Sequence, residues 1–286
     1  MGRTEKMTSE AIAITYGLSS AIIWGAGDFS GGWASRRNSV LTVILFSQVI
    51  GALMLVALGF LFSEPVPEAS ALVWGGVAGI SGVLGLTAFY RGLASGRMGV
   101  VAPLSAVLTA MLPVCFAFFT EGFPRLTQIS GFLMAFLAVW FLSTPKSSSR
   151  IKKAEFGLSM VAGLGFGLFF ICIGYVSSQG IFWPLVAART TSISMMAMVL
   201  FMKKTRFVPP GNQIPCIALT GIFDAAGNAF YALAAQTGRL DVSAVLASLY
   251  PATTVLLAWF LLKERLRGQQ WAGVGAAVVA LVLISN

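Results

Sequence analysis

Three charged side chains lie inside long apolar stretches of this sequence. They are Asp28, Arg189 and Asp224. A charge in the apolar part of a bilayer costs about 2.5–3.5 kcal/mol on insertion scales, and such residues usually face a cavity or a partner. A carboxylate in that position can bind an amine or a coupling proton. These residues are therefore the first candidates for chemistry.

The sequence leaves two interpretations of Asp224 equally open. It could be a cavity-facing carboxylate that binds substrate or a proton, or it could be held by Arg189 or Asn228 in a fixed structural contact. For Arg189 the structural interpretation, an ion pair, is favoured. For Asp28 the alternative to a binding role is a residue near the inner interface that pairs with the Arg36–Arg37 step.

Aromatic residues in the same stretches offer surfaces on which a flat apolar ligand could stack. Each one alone is more simply explained by packing, but the tyrosines have the stronger case because a buried phenol needs a hydrogen-bond partner. Phe29 is one of these aromatic residues but is not assigned to a substrate site. Those assigned to it are Trp24, Tyr90, Phe169, Tyr231 and Tyr250.

Small polar residues add hydrogen-bonding groups without bulk. Ser105 and Ser248 occupy comparable places in the two halves of the chain, although a bond to a carbonyl of the same helix is the simpler explanation for each. Pro251 removes a backbone donor in the middle of an apolar stretch. The carbonyl that it frees could bind a polar substrate group, or the proline could only bend the helix.

Several functions are excluded by what the sequence lacks. It contains no histidine, so histidine metal sites and imidazole relays are absent,. Its three cysteines have no CxxC spacing, and no GxxxxGK[ST] motif is present,. The intramembrane carboxylates are scattered singly, which disfavours an intramembrane enzyme. We expect no catalytic residues, no metal, no cofactor and no direct use of ATP.

The elements that position these residues are predicted to be membrane-spanning helices. The 286 residues are 57% hydrophobic and only 10% charged, whereas soluble domains carry about a quarter charged residues. Runs of about twenty apolar residues indicate membrane spans. The chain is predicted to be an all-α integral membrane protein with ten transmembrane helices, at 11–33, 39–62, 70–92, 99–119, 126–143, 156–178, 182–202, 213–236, 242–262 and 268–285.

The two halves of the chain resemble each other at a nearly constant offset of 140 to 143 residues. The polar stretch Pro145–Glu155 lies between them and is predicted to be the linker. We place the first five-helix repeat at 1–147 and the second at 148–286. Since five is odd, the second repeat enters from the opposite side, which is the inverted-repeat plan of many transporters. The matched segments are Gly17–Ser19 with Gly157–Ser159, Ala88–Tyr90 with Ala229–Tyr231, Gly96–Arg97 with Gly238–Arg239, and Glu121 with Glu264.

The distribution of Lys and Arg residues predicts the orientation of the chain in the membrane. Of the 19 Lys and Arg residues, fourteen fall in the first, third, fifth, seventh and ninth loops between the predicted spans, which all lie on one side of the membrane. Four fall on the other side, and Arg189 lies in a span. Positive residues concentrate in cytoplasmic loops, so both termini are predicted to face the periplasm. Because the basic residues are spread over short loops and form no patch, the net charge of +9 does not indicate a nucleic-acid partner,.

The last two spans carry a motif that resembles the signature of the EamA-type drug/metabolite transporter superfamily. It comprises Tyr250-Pro251 through Leu262, the turn Lys263–Leu266, and Gln269–Gly273. Trp24-Gly25 is similar to the Trp-Gly of that family's first helix. The first repeat departs from the pattern, with Glu121-Gly122-Phe123 in place of Glu-Arg-Leu. Glu121 and Glu264 are expected to cap the next helix or to pair with Arg125 and Arg265.

The resemblance implies a secondary transporter of the bacterial inner membrane, with a cavity lined by spans one, three, four, six, eight and nine. It implies alternating-access export of small metabolites, first amino acids including aromatic ones, as in YddG-like exporters. Another metabolite or drug class, or a passive channel, is the alternative. The partners are a small-molecule substrate and the lipid bilayer, and the working expectation is a monomer. The predicted substrate-binding residues are Trp24, Asp28, Tyr90, Ser105, Phe169, Asp224, Tyr231, Ser248 and Tyr250.

Overall fold

The computed structural model describes residues 2–94, 98–142, 153–203, 211–262 and 267–285, and all regular secondary structure in them is helical. A single 3₁₀ turn, Gly211–Gln213, precedes the eighth helix. The α-helices are α1 (Gly2–Ser35), α2 (Val40–Leu61), α3 (Ala69–Ala94), α4 (Met98–Thr120), α5 (Leu126–Leu142), α6 (Lys153–Val176), α7 (Phe182–Lys203), α8 (Ile214–Thr237), α9 (Leu240–Ala247), α10 (Tyr250–Leu262) and α11 (Gly268–Ile284).

The helices confirm an all-α membrane protein with the predicted spans. Within the described residues, α2, α3, α6, α7 and α8 are long and apolar enough to cross a membrane. Shorter apolar helices cover 104–120, 126–142 and 268–284. Many large apolar side chains of these helices point outward, as expected where the surrounding solvent is lipid,.

The ninth span is interrupted, in contrast to the continuous helix predicted for 242–262. Helix α9 ends at Ala247, and α10 begins at Tyr250, next to Pro251. Proline has no backbone N–H and is well suited to the first turn of a helix, where that donor would have no partner. Pro251 therefore begins a helix here, whereas α4 runs continuously through Pro103 and Pro113.

The packing of the helices repeats itself between the two halves. Helix α1 packs mainly against α8, and α6, its counterpart in the second half, packs against α3. The contact of α4 with α6 has its counterpart in the contact of α9 and α10 with α1. The contact of α3 with α7 has its counterpart in the contact of α8 with α2. The last helices of the halves, α5 and α11, pack against each other. This exchange of partners is the arrangement expected of two intertwined five-helix repeats.

Small residues bring α3 and α7 into close contact. A Cβ atom on Gly75 would overlap the carbonyl oxygen of Pro184, and one on Gly79 would overlap that of Ala188. The Ser192 hydroxyl donates a hydrogen bond of 3.0 Å to the Gly79 carbonyl at the same contact. These glycines therefore serve the backbone-to-backbone packing that small residues permit between membrane helices.

Glu64 ties the end of α2 to the start of α7. Its carboxylate accepts backbone hydrogen bonds from Ile181 (2.9 Å), Phe182 (2.8 Å) and Trp183 (3.0 Å). The Trp183 indole N–H donates in turn to the Glu64 carbonyl at 2.8 Å. A carboxylate at this position satisfies the first donors of the helix and favours its positive end.

Glu121 ties the end of α4 to the start of α9. Its carboxylate accepts a hydrogen bond of 3.2 Å from the Leu240 amide, so it caps α9 and not the helix that follows it. Arg239 donates to the Gly122 carbonyl at 2.9 Å and pairs with Asp241 at 2.8 Å. Burial raises the pKa of Glu121, and the hydrogen bonds that Arg239 donates to the Asp241 carboxylate raise the pKa of Arg239.

Two further contacts join helix ends at the same face of the molecule. The Ser9 hydroxyl donates to the Thr237 carbonyl at 2.6 Å, and the Gln236 amide donates to the Ser177 carbonyl at 2.7 Å. These polar contacts close one end of the helix bundle. We call this end the closed face; it comprises the turns 62–68, 121–125, 177–181 and 238–239.

Parts of the sequence patterns lie outside the described residues. They are the signature turn 263–266, the linker residues 143–152 with the predicted repeat boundary at 147/148, and the Gly96-Arg97 pair.

Candidate functional site

A cavity lies in the interior of the bundle, between α1, α2, α3, α4, α6, α7, α8 and the start of α10. Its empty space, including the part that is open to solvent, is about 610 Å³. The spans named by the resemblance all contribute to the wall, and α2 and α7 contribute as well. The lining residues are Trp24, Asp28, Gln48, Gly79, Gly82, Val83, Leu86, Thr109, Phe166, Phe169, Phe170, Ala188, Arg189, Ser192, Asp224, Asn228 and Tyr250.

A network of three polar side chains forms one wall of this cavity. The Arg189 guanidinium lies 2.6 Å from the Asp224 carboxylate and donates to the Gln48 side-chain oxygen at 2.5 Å. The Gln48 amide donates to Asp224 at 3.2 Å. Three helices, α2, α7 and α8, are thus joined by charge-assisted hydrogen bonds, which are the strong ones in a low-dielectric interior.

Asp224 makes the structural contacts that the sequence suggested and also faces the cavity. It is paired with Arg189, and the Asn228 amide contacts its backbone carbonyl at 2.7 Å and its carboxylate at 3.2 Å. The carboxylate nevertheless lines the cavity, and 19% of the side-chain surface remains accessible. Arg189 is more deeply buried, and its Nη2 atom has no hydrogen-bond partner among the described residues.

Asp28 projects from α1 into the same cavity. Within the described part of the chain its carboxylate makes no ion pair and accepts no hydrogen bond. The alternative pairing with the Arg36–Arg37 step is not formed, and the Arg37 guanidinium instead lies 5.4 Å from the centre of the Trp33 ring. The structure therefore places Asp28 beside the polar network without joining it.

Stacked aromatic rings support the cavity wall beside Asp28. Trp24 stacks on Phe170 with ring centres 5.3 Å apart and an interplanar angle of 8°. Phe170 stacks on Tyr231 at 4.1 Å, and the Tyr231 hydroxyl donates to the Phe170 backbone carbonyl at 2.8 Å. Tyr231 thus lies behind the wall and fixes Phe170, which faces the cavity.

The interruption of the ninth span brings Tyr250 to the cavity. Its ring meets Phe89 edge to face at 5.9 Å, and its hydroxyl is 3.3 Å from the Ser105 hydroxyl. Ser105 also donates to the Ala102 carbonyl of its own helix. Ser105 therefore positions Tyr250 and is itself fully buried.

Five of the nine predicted site residues line the cavity: Trp24, Asp28, Phe169, Asp224 and Tyr250. The other four are buried behind its wall.

Four predicted residues, Tyr90, Ser105, Tyr231 and Ser248, have structural contacts instead. The Tyr90 hydroxyl lies against the backbone of Gly31, where a Cβ would overlap it. The Ser248 hydroxyl donates to the Ala244 carbonyl one turn earlier in α9.

Sequence reasoning missed Gln48 and favoured a structural role for Arg189. A usable signal for Gln48 was present, since an amide in the middle of an otherwise apolar span also needs a partner. Phe170 and Ser192 gave no comparable signal, because neither residue type is unusual in a membrane helix. In the described residues, no three His, Cys, Asp or Glu side chains are grouped so that they could hold a metal ion.

Comparison with known proteins gives a family and a fold. The model of the EamA-like transporter family matches this chain twice, at residues 11–144 and 154–286. No curated protein matches significantly. One solved structure, described only as a crystal structure of a protein, superposes with a TM-score of 0.74 at 17% sequence identity, and the match covers 95% of both chains. At that identity the likeness concerns the fold alone.

Proposed function

This chain belongs to the EamA-like transporter family, and from that premise we propose that it exports small amphipathic metabolites, first of all amino acids. The family lies in the drug/metabolite transporter superfamily and consists of small-molecule transporters, not enzymes. The chain is accordingly a multi-pass membrane protein. Amino acids as the cargo, export as the direction and the inner membrane as the location are parts of the proposal.

The observation that carries the proposal is the buried network of Gln48, Arg189 and Asp224 on the cavity wall. Polar groups are costly inside a membrane protein and mark substrate or ion pathways. Here they stand beside aromatic residues, so the cavity offers hydrogen bonds to a polar head and an apolar surface to a side chain.

Counterflow in reconstituted vesicles tests this function. Vesicles loaded with unlabelled phenylalanine should accumulate labelled phenylalanine transiently, with saturable kinetics and with competition from other amino acids. Asp224→Asn should reduce this exchange strongly, whereas Glu10→Gln, the same neutralisation at a partly exposed residue of α1 that pairs with Arg125, should leave it unchanged. Imposing a proton gradient then shows whether transport is coupled to protons.

Two results would contradict the proposal and indicate a different function or cargo. Linear flux that no amino acid competes with would indicate a passive channel. Absence of amino-acid counterflow, together with saturable exchange of another compound class, would keep the carrier mechanism and change the cargo.

A further inference from the structure

The charges in the cavity do not balance. Asp224 is matched by Arg189 at 2.6 Å, but Asp28 has no cation within ion-pair distance in the described part of the chain. No lysine or second arginine lines the cavity. With all three side chains ionised, the cavity carries one uncompensated negative charge, and it resides on Asp28.

An uncompensated carboxylate in such a place calls for a positive partner. Removing a charge from water is costly unless it is paired and hydrogen-bonded. The nearby carboxylate of Asp224 adds repulsion that Arg189 only partly cancels. A proton or a cation from solution would relieve both effects.

The surroundings of Asp28 favour an organic ammonium over a metal ion. Trp24 lies one helical turn before Asp28, and both side chains line the cavity. An indole ring attracts ammonium groups through its quadrupole. An inorganic cation needs a shell of several oxygen ligands, whereas the lining near Asp28 is largely aromatic.

A carboxylate finds no comparable position in this cavity. The Nη1 atom of Arg189 is engaged by Gln48 and Asp224. The Nη2 atom has no hydrogen-bond partner but is buried out of reach of solvent. Arg189 lines the cavity, but its Nη1 atom is used within the network with Gln48 and Asp224, whereas the Asp28 carboxylate accepts no hydrogen bond in the described part of the chain.

We infer that Asp28, together with Trp24, binds the ammonium group of the transported molecule, so that the cavity requires a free amine and not a carboxylate. The inference rests on the proposed function only for the fact of transport, and its binding statement can be tested separately. It assigns the amine to α1 and leaves the apolar part of the cargo to Phe166, Phe169 and Phe170.

Four phenylalanine derivatives separate the two charges. Phenylalaninamide has only the amine, phenylalanine has both groups, N-acetylphenylalanine has only the carboxylate, and N-acetylphenylalaninamide has neither charge. Binding of each to the full-length protein in lipid nanodiscs is measured by calorimetry, and each is also tested as a competitor in counterflow. We expect the two free amines to bind and both acetylated compounds to fail.

Variants of the two residues identify the subsite. Asp28→Asn should weaken phenylalaninamide binding about ten- to hundredfold, the range for loss of a charged hydrogen bond, and Asp28→Glu should restore part of it. Trp24→Phe, which keeps a smaller ring, should weaken it by less, about two- to fivefold. Glu10→Gln serves as the charge-matched control outside the cavity, and unfolding temperatures confirm that each variant is folded.

The outcomes distinguish the inference from the proposed function. Amine-selective binding that depends on Asp28, without counterflow, supports the inference and removes the transport role. Equal binding of free and acetylated compounds, failure of all four to bind, or preference for the carboxylate overturns the inference even where counterflow occurs. Amine binding that is unchanged in Asp28→Asn overturns it as well, and a pH dependence lost in that variant would then assign Asp28 to a proton.

Discussion

The ion pair between Arg189 and Asp224 joins two helices on the wall of the cavity. Arg189 is 6% exposed and Gln48 is 2% exposed, so both are held in the interior, while Asp224 reaches the cavity. A buried pair of this kind adds little net stability compared with apolar residues of the same size. Removing one partner is much worse than removing both, because the remaining charge is left without compensation.

The difference between removing one charge of the pair and removing both gives a prediction at the residue scale. Asp224→Leu or Arg189→Met alone should lower the free energy of unfolding by about 3–5 kcal/mol, and the double variant should recover most of that loss. Unfolding of the purified protein in detergent measures each corner of the cycle. All three variants should lose transport, since the network on the cavity wall is gone.

A surface pair provides the comparison for this cycle. Glu10 and Arg125 lie 3.5 Å apart with 39% and 54% of their side chains exposed. Glu10→Ala should change stability by less than about 1 kcal/mol. Additive losses for Arg189 and Asp224, with no recovery in the double variant, would contradict the view that the two charges compensate each other.

At the scale of elements, the carboxylates Glu64 and Glu121 hold helix ends together across the closed face. The start of α7 has its first amide donors at Ile181, Phe182 and Trp183, while Pro184 has none. Glu64 accepts from all three donors, and Ser63 before it adopts a left-handed φ of 51° that ends α2. One acidic residue thus completes the N-terminal cap of a helix that begins 118 residues later,.

Loss of this cap should loosen the first turn of α7. Glu64→Ala is expected to cost about 0.5–2 kcal/mol, the usual range for an N-terminal cap, and to speed hydrogen exchange of the amides at 181–183. Hydrogen exchange followed by mass spectrometry measures the effect. Glu68→Ala in the same turn is the control, since the Glu68 carboxylate accepts a hydrogen bond from the nearby Ser70 hydroxyl, at 3.5 Å, and does not contact α7 in the described residues. Equal exchange in the two variants would speak against the cap.

The contact between α4 and α9 should respond to pH through Glu121. Burial raises the pKa of this carboxyl; the Leu240 amide opposes the shift, Asp241 adds to it, and Arg239 opposes it. For an acid whose pKa is raised in the folded state, the stabilisation is complete below the ordinary pKa and is lost as the pH rises through the raised value. Glu121 should therefore contribute more to the stability of the folded protein in mild acid than at neutral pH.

Glu121→Gln isolates this effect, because the amide resembles the protonated carboxyl. The unfolding temperature of the wild type should fall, relative to that of Glu121→Gln, as the pH is raised from about 4 to about 7. The variant should show a flatter profile over the same range. Parallel profiles for the two proteins would exclude Glu121 as the titrating group.

At the scale of the whole molecule, long apolar runs were enough to predict the spans, because a bilayer requires long apolar helices wherever the chain crosses it, and the segments matched at an offset of 140 to 143 predicted the two repeats. The same uniform apolarity conceals which face of a helix meets another. Gln48, Arg189 and Asp224 are 35 to 176 residues apart along the chain, and only the packing of α2, α7 and α8 brings them together.

The interruption before Tyr250 was similarly hidden from the sequence. Pro251 was recognised, but α4 shows that a proline in this fold need not break a helix. Helix α10 packs closely on α1, where a Cβ on Gly25 would overlap Thr253 and lie too close to the Tyr250 carbonyl oxygen, although the continuous α4 packs as closely on α6. A tertiary contact thus accompanies the break and directs Tyr250 into the cavity.

The side of the membrane on which the closed face lies follows from the loop charges. Fourteen basic residues in the odd-numbered loops predict that the even-numbered loops, which form the closed face, are periplasmic,. Single cysteines at Glu68 and Ser285, in a background without Cys115, Cys172 and Cys216, should then react with an impermeant maleimide in intact cells. A cysteine at Asn38 should react only after permeabilisation. The opposite labelling would invert the topology and place the closed face in the cytoplasm.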